Sequence, residues 1–417
     1  ALTTLFGFLA LVFMRFEIGA NLGLALAKGI VFSLVSVMVF LPCLAVCCYR
    51  LIDKTKHKRL IPKFKGGGKF ITKVRILALI LVILLALPCY LAQSKTSFIY
   101  GIGDLEPSSR AGMDEARINE IFGKSVPTVV LVPRGDVARE AALSDELSRI
   151  KNVSGVVSYA NSVGAEIPPE FLDEEQVSQF YSASYSRIIV YGDTSQEGEE
   201  AFELVRAVRE TAGKYYGNEA LTFGASANLY DVKDIVTSDS FIVNLLAVLA
   251  IGLVLLFSFK SLSLPLILIL TIQSSIWINL SIPYFFDSSL SYIGYLVMST
   301  VQLGATVDYA ILFTDHYLMS RRELRPKEAV IKTAEETAES ILTSAVILSL
   351  SGFILSFISS NDIVSQLGTL LGRGAILSTI MVFFFLPAAT TLLDGLVYRT
   401  TLRADFFKKE HVHEKAV

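Results

Sequence analysis

Long uncharged stretches divide the chain. Gaps between successive charged residues span 21 residues (29–49), 19 (76–94), 20 (240–259), 26 (261–286), 20 (288–307), 22 (340–361) and 20 (374–393). About 20 apolar residues suffice for a helix to cross the hydrocarbon layer. An eighth run, 1–14, starts with the first residue. It has no basic segment ahead of it, so it reads as a helix entered part-way and not as a signal peptide. The pattern predicts a polytopic α-helical membrane protein with about eight transmembrane helices.

Between 95 and 236 the periodicity changes. Thr128–Val132 is a β-branched run, and Asp136–Ile150 has apolar positions at helical spacing with acids near its start. Val153–Tyr159 and Arg187–Tyr191 read as strands, Glu199–Tyr215 as a second long helix and Leu221–Phe223 as a last strand, with Gly224 as a break. Strand–helix–strand twice within this length predicts an α+β sandwich of the ferredoxin-like kind. Glu166–Glu175, with Pro168-Pro169, reads as a solvated linker.

Composition agrees with this division. Of 417 residues, 53% are hydrophobic and 18% charged, and the mean hydropathy is +0.55. Soluble domains carry about 25% charged residues. The net charge of −2 hides an asymmetry. Residues 94–236 hold 13 Lys/Arg against 23 Asp/Glu, and the remainder holds 24 against 16. An acidic block inside a basic, apolar frame is not a nucleic-acid surface.

Lys and Arg in short loops set orientation. Arg50–Arg75 has ten of them and a single acid, Asp53, which predicts a cytoplasmic linker. Counting helices from there places 95–236 outside the cytoplasm, and the basic loop 316–339 and the tail 398–417 inside. Loops 284–290 and 359–369 fall outside and contain no Lys or Arg. The expected divisions are 1–50 (two helices), 51–75 (basic linker), 76–94 (one helix), 95–236 (α+β domain), 237–397 (five helices) and 398–417 (tail). Gly66-Gly67-Gly68 reads as a flexible part of the linker. A phosphate loop would need Ser or Thr where Phe70 stands. Cys43, Cys47, Cys48 and Cys89 all lie in apolar runs, as lipid- or core-facing residues do.

The chain also repeats itself. Asn21–Gly29 (NLGLALAKG) resembles Gln366–Gly374 (QLGTLLGRG), and Leu41-Pro42 matches Leu386-Pro387 at the same offset of 345. Upstream, Leu2-Thr3-Thr4 matches Leu342-Thr343-Ser344 at an offset of 340. Transporters are commonly built from such repeats. The second copy is preceded by further helices and an α+β domain, so the chain is expected to be the C-terminal part of a longer protein, whose N-terminal half is its natural partner.

One charge falls inside a predicted span. In a helix starting at Tyr292, Asp308 lies 16 residues on, about 24 Å from the outer end and in the inner half of the bilayer. Placing Asp there costs about 2.5–3.5 kcal/mol, and such residues normally face the bundle interior on an ion path or proton relay. A carboxyl withdrawn from water favours its neutral form. It can therefore bind and release a proton as its surroundings change. The bland alternative is a structural Asp that only ties helices together. Gly304, on the Asp308 face, would let a neighbouring helix approach closely, and Tyr309 offers a hydroxyl. Thr306, Gln302, Asn279, Ser344 and Ser349 are further polar candidates. No Lys or Arg partner is expected within the spans.

Gly304-Ala-Thr-Val-Asp308-Tyr309-Ala-Ile resembles the Gly-x-x-x-Asp-Tyr-Ala signature of the MMPL (mycobacterial membrane protein large) family, in the resistance–nodulation–division (RND) superfamily. The order of basic linker, single helix, α+β domain and five helices is similar too, over residues 51 to the end. The resemblance implies twelve helices in two six-helix repeats, with a porter domain after the first helix of each. It also implies proton-driven export of lipids or other amphiphiles from a bacterial plasma membrane. Asp308 and Tyr309 match the family's second proton-relay pair. The first would lie before residue 1. No cofactor beyond protons is implied. The rival reading is a non-transporting sensor or assembly protein on the same scaffold. A membrane enzyme is disfavoured, because His57, His316, His411 and His413 all fall on the predicted inner side.

Overall fold

The computed structural model describes residues 2–55, 66–101, 110–402 and Phe406. Residues 56–65 of the basic linker, including His57, and the end of the tail, including His411 and His413, lie outside the described residues. Two compact units are present, residues 1–98 with 238–417, and residues 99–237.

The first unit is helical. α1 (Leu2–Ala10) ends in a 3-10 turn, Leu11–Phe13. α2 (Glu17–Val35) continues through a π turn into α3 (Leu41–Cys47), and α4 (Tyr49–Lys54) follows. α5 (Gly67–Gln93) leads to the two-residue strand β1 (Phe98–Ile99). After the second unit come α10 (Ala225–Phe259), α11 (Ser263–Phe285), the two-residue strand β6 (Leu290–Ser291), α12 (Tyr292–Arg321), α13 (Pro326–Ile358), α14 (Asp362–Leu392) and α15 (Asp394–Thr400). Seven helices among the described residues are long and apolar enough to cross a membrane, and Leu2–Phe13 is a shorter apolar helix.

Burial ranks these helices. In α12, 72% of the apolar window is buried, in α14 67% and in α11 61%, against none in α2 and α3. α11, α12 and α14 therefore form the centre of the bundle, and the other apolar faces are turned outward, as lipid-facing surfaces are. Helix starts are chemically marked. Asn361 accepts the Val364 N–H at 3.1 Å to cap α14, and Pro326 opens α13 where its missing N–H costs nothing.

Small residues set the closest crossings. A methyl at Gly368 would lie 2.5 Å from the Gly352 carbonyl oxygen and 2.6 Å from the Ser356 nitrogen. In the first copy of the repeat, Gly23 faces the Phe8 carbonyl at 2.8 Å and the Val12 nitrogen at 3.3 Å. Gly23 and Gly368 are related by the offset of 345, but their partners are related by 344. This corrects the upstream offset of 340 by one helical turn. Apolar helices studded with Thr and Ser match at several registers, and the glycine-to-backbone contact distinguishes them.

The second unit is an α+β sandwich. It contains α6 (Arg110–Phe122), β2 (Val126–Pro133), α7 (Val137–Ser148), β3 (Val153–Val157), α8 (Glu174–Ser178), β4 (Tyr185–Gly192), α9 (Glu199–Tyr216) and β5 (Leu221–Gly224). The sheet order is β3-β4-β2-β5, all antiparallel, which is the ferredoxin-like order. Alternation along β4 buries Ser186, Ile188 and Val190. With Val130, Val132, Leu143, Leu147, Leu204 and Val208 they form the core under α7 and α9. Asp136 caps α7 by accepting the Arg139 N–H at 2.9 Å. Gly224 has φ +142°, and a methyl there would meet the Pro127 oxygen at 2.8 Å, so only glycine fits this turn into α10. Part of the linker 166–175 is ordered: a 3-10 turn spans Pro169–Phe171, and the Tyr159 hydroxyl donates to the Ile167 carbonyl at 2.6 Å.

Candidate functional site

Asp308 lies on α12, 16 residues from Tyr292 and 13 from Arg321, far from both ends. α1 crosses α12 at this level. A methyl on Gly304 would lie 3.3 Å from the Thr4 Cα, so the two backbones meet where the side chain is missing. The Thr4 hydroxyl donates to the Gly304 carbonyl at 3.1 Å. One turn further, the Thr3 hydroxyl donates to Asp308 Oδ1 at 2.9 Å. Tyr309 is buried beside it, 7% exposed.

Asp308 also faces open space. A cavity of about 390 Å³ is lined by Ser258 and Phe259 of α10 and by Asp308, Ile311, Leu312 and Asp315 of α12. Asp308 and Asp315 are two turns apart on one face, about 10 Å along the axis. Asp315 is exposed and His316 is half-buried, with Nδ1 3.5 Å from Glu336 Oε2 on α13. The arrangement is a carboxyl deep in a membrane helix, bonded to the Thr3 hydroxyl and open on one side to a partly polar cavity.

The other candidates are arranged differently. Asn279 donates to Gln302 Oε1 at 2.8 Å and to the Leu370 carbonyl at 2.9 Å. Gln302 donates to the Ser275 and Ser378 hydroxyls, at 3.2 and 3.3 Å. Arg373 Nε donates to Asn279 Oδ1 at 2.7 Å. This cluster ties α11, α12 and α14 together. Thr306 belongs with it, donating to the Gln302 carbonyl at 2.7 Å. Ser344 is exposed on α13 and is not brought to Asp308. The expectation that the spans hold no Lys or Arg is corrected. Arg373 lies well inside α14, because this helix begins at Asp362 and its guanidinium reaches Asn279. Arg321, by contrast, is the last residue of α12.

Both ends of the bundle are fastened by carboxylates. Asp239 of α10, 3% exposed, accepts the backbone N–H groups of Arg15 and Phe16 at 2.7 and 3.3 Å, just ahead of α2. Asp394 of α15 receives Arg321 in a two-pronged contact of 2.8 and 2.9 Å and the Tyr317 hydroxyl at 2.8 Å. Removing one member of a buried ion pair leaves the other uncompensated, at a cost of about 3–5 kcal/mol. Asp394→Ala is accordingly expected to lower the unfolding free energy of the detergent-solubilised protein by about that much, read as a fall in its denaturation midpoint. A midpoint equal to wild type would show that the pair contributes nothing.

Among the described residues no group of three or more His, Cys, Asp or Glu converges as a metal cluster would. The site depends instead on carboxyl, hydroxyl and amide groups.

A membrane protein of Streptomyces coelicolor, SCO0839, is 24% identical over 208 residues, covering 48% of this chain and 29% of that protein. Two structures of SecDF share the fold at 15% identity. One is its super-membrane-facing form (TM-score 0.52); the other is SecDF from Thermus thermophilus, described as a translocon-associated membrane protein (TM-score 0.55). Each match covers 94% of this chain and 47% of the SecDF chain, so the chain spans about half the length of these neighbours. The MMPL family model matches residues 107–404, which include the α+β unit, α10 to α14 and Asp308. With seven helices among the described residues long and apolar enough to cross a membrane, and a family match over most of its length, the chain is a multi-pass membrane protein that belongs to the MMPL family.

Proposed function

We propose that this chain is the C-terminal portion of a proton-driven transporter that exports lipids or other amphiphiles, with Asp308 and Tyr309 as its proton-relay pair. Family membership and the SecDF-like fold support an RND-type membrane transporter or related protein. The observation that carries the finer reading is Asp308: a carboxyl deep in α12, bonded to Thr3 of another helix and facing a cavity. When ionised, it accepts the Thr3 hydroxyl and holds α1 against α12. When protonated, it accepts more weakly, and the crossing is free to change. Proton binding thus becomes helix movement. A membrane potential supplies about 2.3 kcal/mol per charge per 100 mV, enough to drive transport uphill with a few charges.

In this reading the basic segments Arg50–Arg75 and 316–339 are cytoplasmic. Residues 95–236 lie outside, where their domain receives the amphiphile. Protons are the sole coupling agent. Tyr309, buried and next to Asp308 in the sequence, supplies the hydroxyl of the pair.

The test uses the full-length protein in vesicles loaded with a fluorescent phospholipid. An imposed proton gradient is expected to accelerate movement of the probe, and a protonophore to return it to the rate of protein-free vesicles. Movement indifferent to the gradient would sink the coupling claim. No movement under either condition would favour the sensor or assembly reading.

A further inference from the structure

The α+β unit contains a carboxyl that the transport reading does not use. Glu140 of α7 is fully buried. Its Oε2 accepts the hydroxyls of Tyr181 at 3.0 Å and Ser186 at 2.8 Å. Its Oε1 is buried and has no hydrogen-bond partner among the described residues. The buried hydroxyl of Tyr216 on α9 is likewise without one. Once water is gone a carboxylate needs donors on both oxygens, whereas the neutral acid needs fewer and carries a proton of its own.

The surrounding charges are few and mostly turned aside. Arg134 lies over the Tyr181 ring at 4.8 Å and donates to the Ser182 carbonyl at 3.1 Å. Arg139 lies over the Tyr216 ring at 4.7 Å. Asp136, one turn before Glu140, caps the helix. Loss of water raises the proton affinity of Glu140 above that of an ordinary carboxylate. The bonds from Ser186 and Tyr181 oppose this, Asp136 reinforces it and Arg134 opposes it. Tyr216 is pushed up to about 12, by burial first and then by the charges of Glu140 and Asp136, with Arg139 opposing.

We propose that Glu140 is a proton-binding site of the α+β unit: the folded domain holds it as the neutral acid, with the proton on Oε1, the oxygen that no donor occupies. Its release leaves a carboxylate and frees one proton to solvent. The site sits beneath the long excursion between β3 and β4. Tyr181, which Glu140 holds, packs on the Tyr159 ring at 5.0 Å, and Tyr159 fastens Ile167. A group that binds its proton more tightly when folded stabilises the fold fully at low pH and loses that contribution as pH rises through its folded-state titration. Proton release therefore removes this stabilisation, although the Tyr181 and Ser186 hydroxyls donate more strongly to the carboxylate than to the acid.

Infrared spectroscopy of the full-length protein in detergent tests this. At neutral pH the wild type is expected to show a protonated-carboxyl carbonyl component that Glu140→Gln lacks and that vanishes on alkaline titration. Tyr181→Phe removes a donor to the carboxylate, so the component should persist to higher pH. Identical carbonyl bands in wild type and a folded Glu140→Gln would overturn the proposal. Should the Gln variant fail to fold, an unshifted titration in Tyr181→Phe would overturn it equally.

Discussion

Asp308→Asn is expected to abolish gradient-driven transport by the full-length protein while leaving it folded. The amide keeps the volume of the carboxyl and still offers an oxygen to the Thr3 hydroxyl, which lies 2.9 Å from Asp308 Oδ1. The α1–α12 crossing rests on Gly304 and the Thr4 bond as well, and neither is touched. An amide cannot take up and release a proton as a carboxyl does, so the proposed relay loses its mid-membrane site. Probe movement in vesicles should fall to that of protein-free vesicles, with helical content and thermal midpoint unchanged. Wild-type rates in the variant would reduce Asp308 to a packing residue. Asp308→Ala is a poorer probe, since it removes the proton site and the acceptor together.

Gly352→Leu is expected to prevent the bundle from assembling. A methyl at this position would lie 2.5 Å from the Gly372 nitrogen, 2.7 Å from the Gly368 oxygen and 2.8 Å from the Gly372 Cα. All three are backbone atoms, so no rotamer change relieves the contact. Even one added carbon in a packed interface costs about 1–3 kcal/mol. Leu adds four, and forces α13 from α14 along a seam that also holds the Ser356–Thr369 hydroxyl pair at 2.7 Å. Size-exclusion profiles in detergent should show aggregate in place of the wild-type peak. Gly29→Ala is the matched control. Nothing lies within 4 Å of a methyl there, and the profile should be that of wild type.

Much of the architecture could be read from the residues, because its causes are local. Charge-free runs must cross the membrane, and β-branched runs between amphipathic helices make a sandwich. The strands and the two long helices of the α+β unit fall within a few residues of the expected bounds. α6 was not legible: its apolar residues Met113, Ile118, Ile121 and Phe122 are exposed, so no buried stripe marks it as a core helix. The site was legible only in part. Asp308 stands out because a charge in an apolar run is anomalous by itself. The roles of Asn279 and Arg373 depend on partners 23 and 94 residues away along the chain, and single-chain spacing carries no such information. Arg373 was also hidden by the counting of charges as boundaries, although α14 begins eleven residues earlier.

The two attachments of α1 differ in kind. At one end, Asp239 grips two backbone N–H groups just beyond the helix, and a backbone amide never titrates. Towards the other, the Thr3 hydroxyl meets the Asp308 carboxyl and the neighbouring Thr4 hydroxyl holds the Gly304 carbonyl. On the proposed reading, a change of charge at Asp308 acts on the Thr3 contact and leaves the Asp239 anchor as it was.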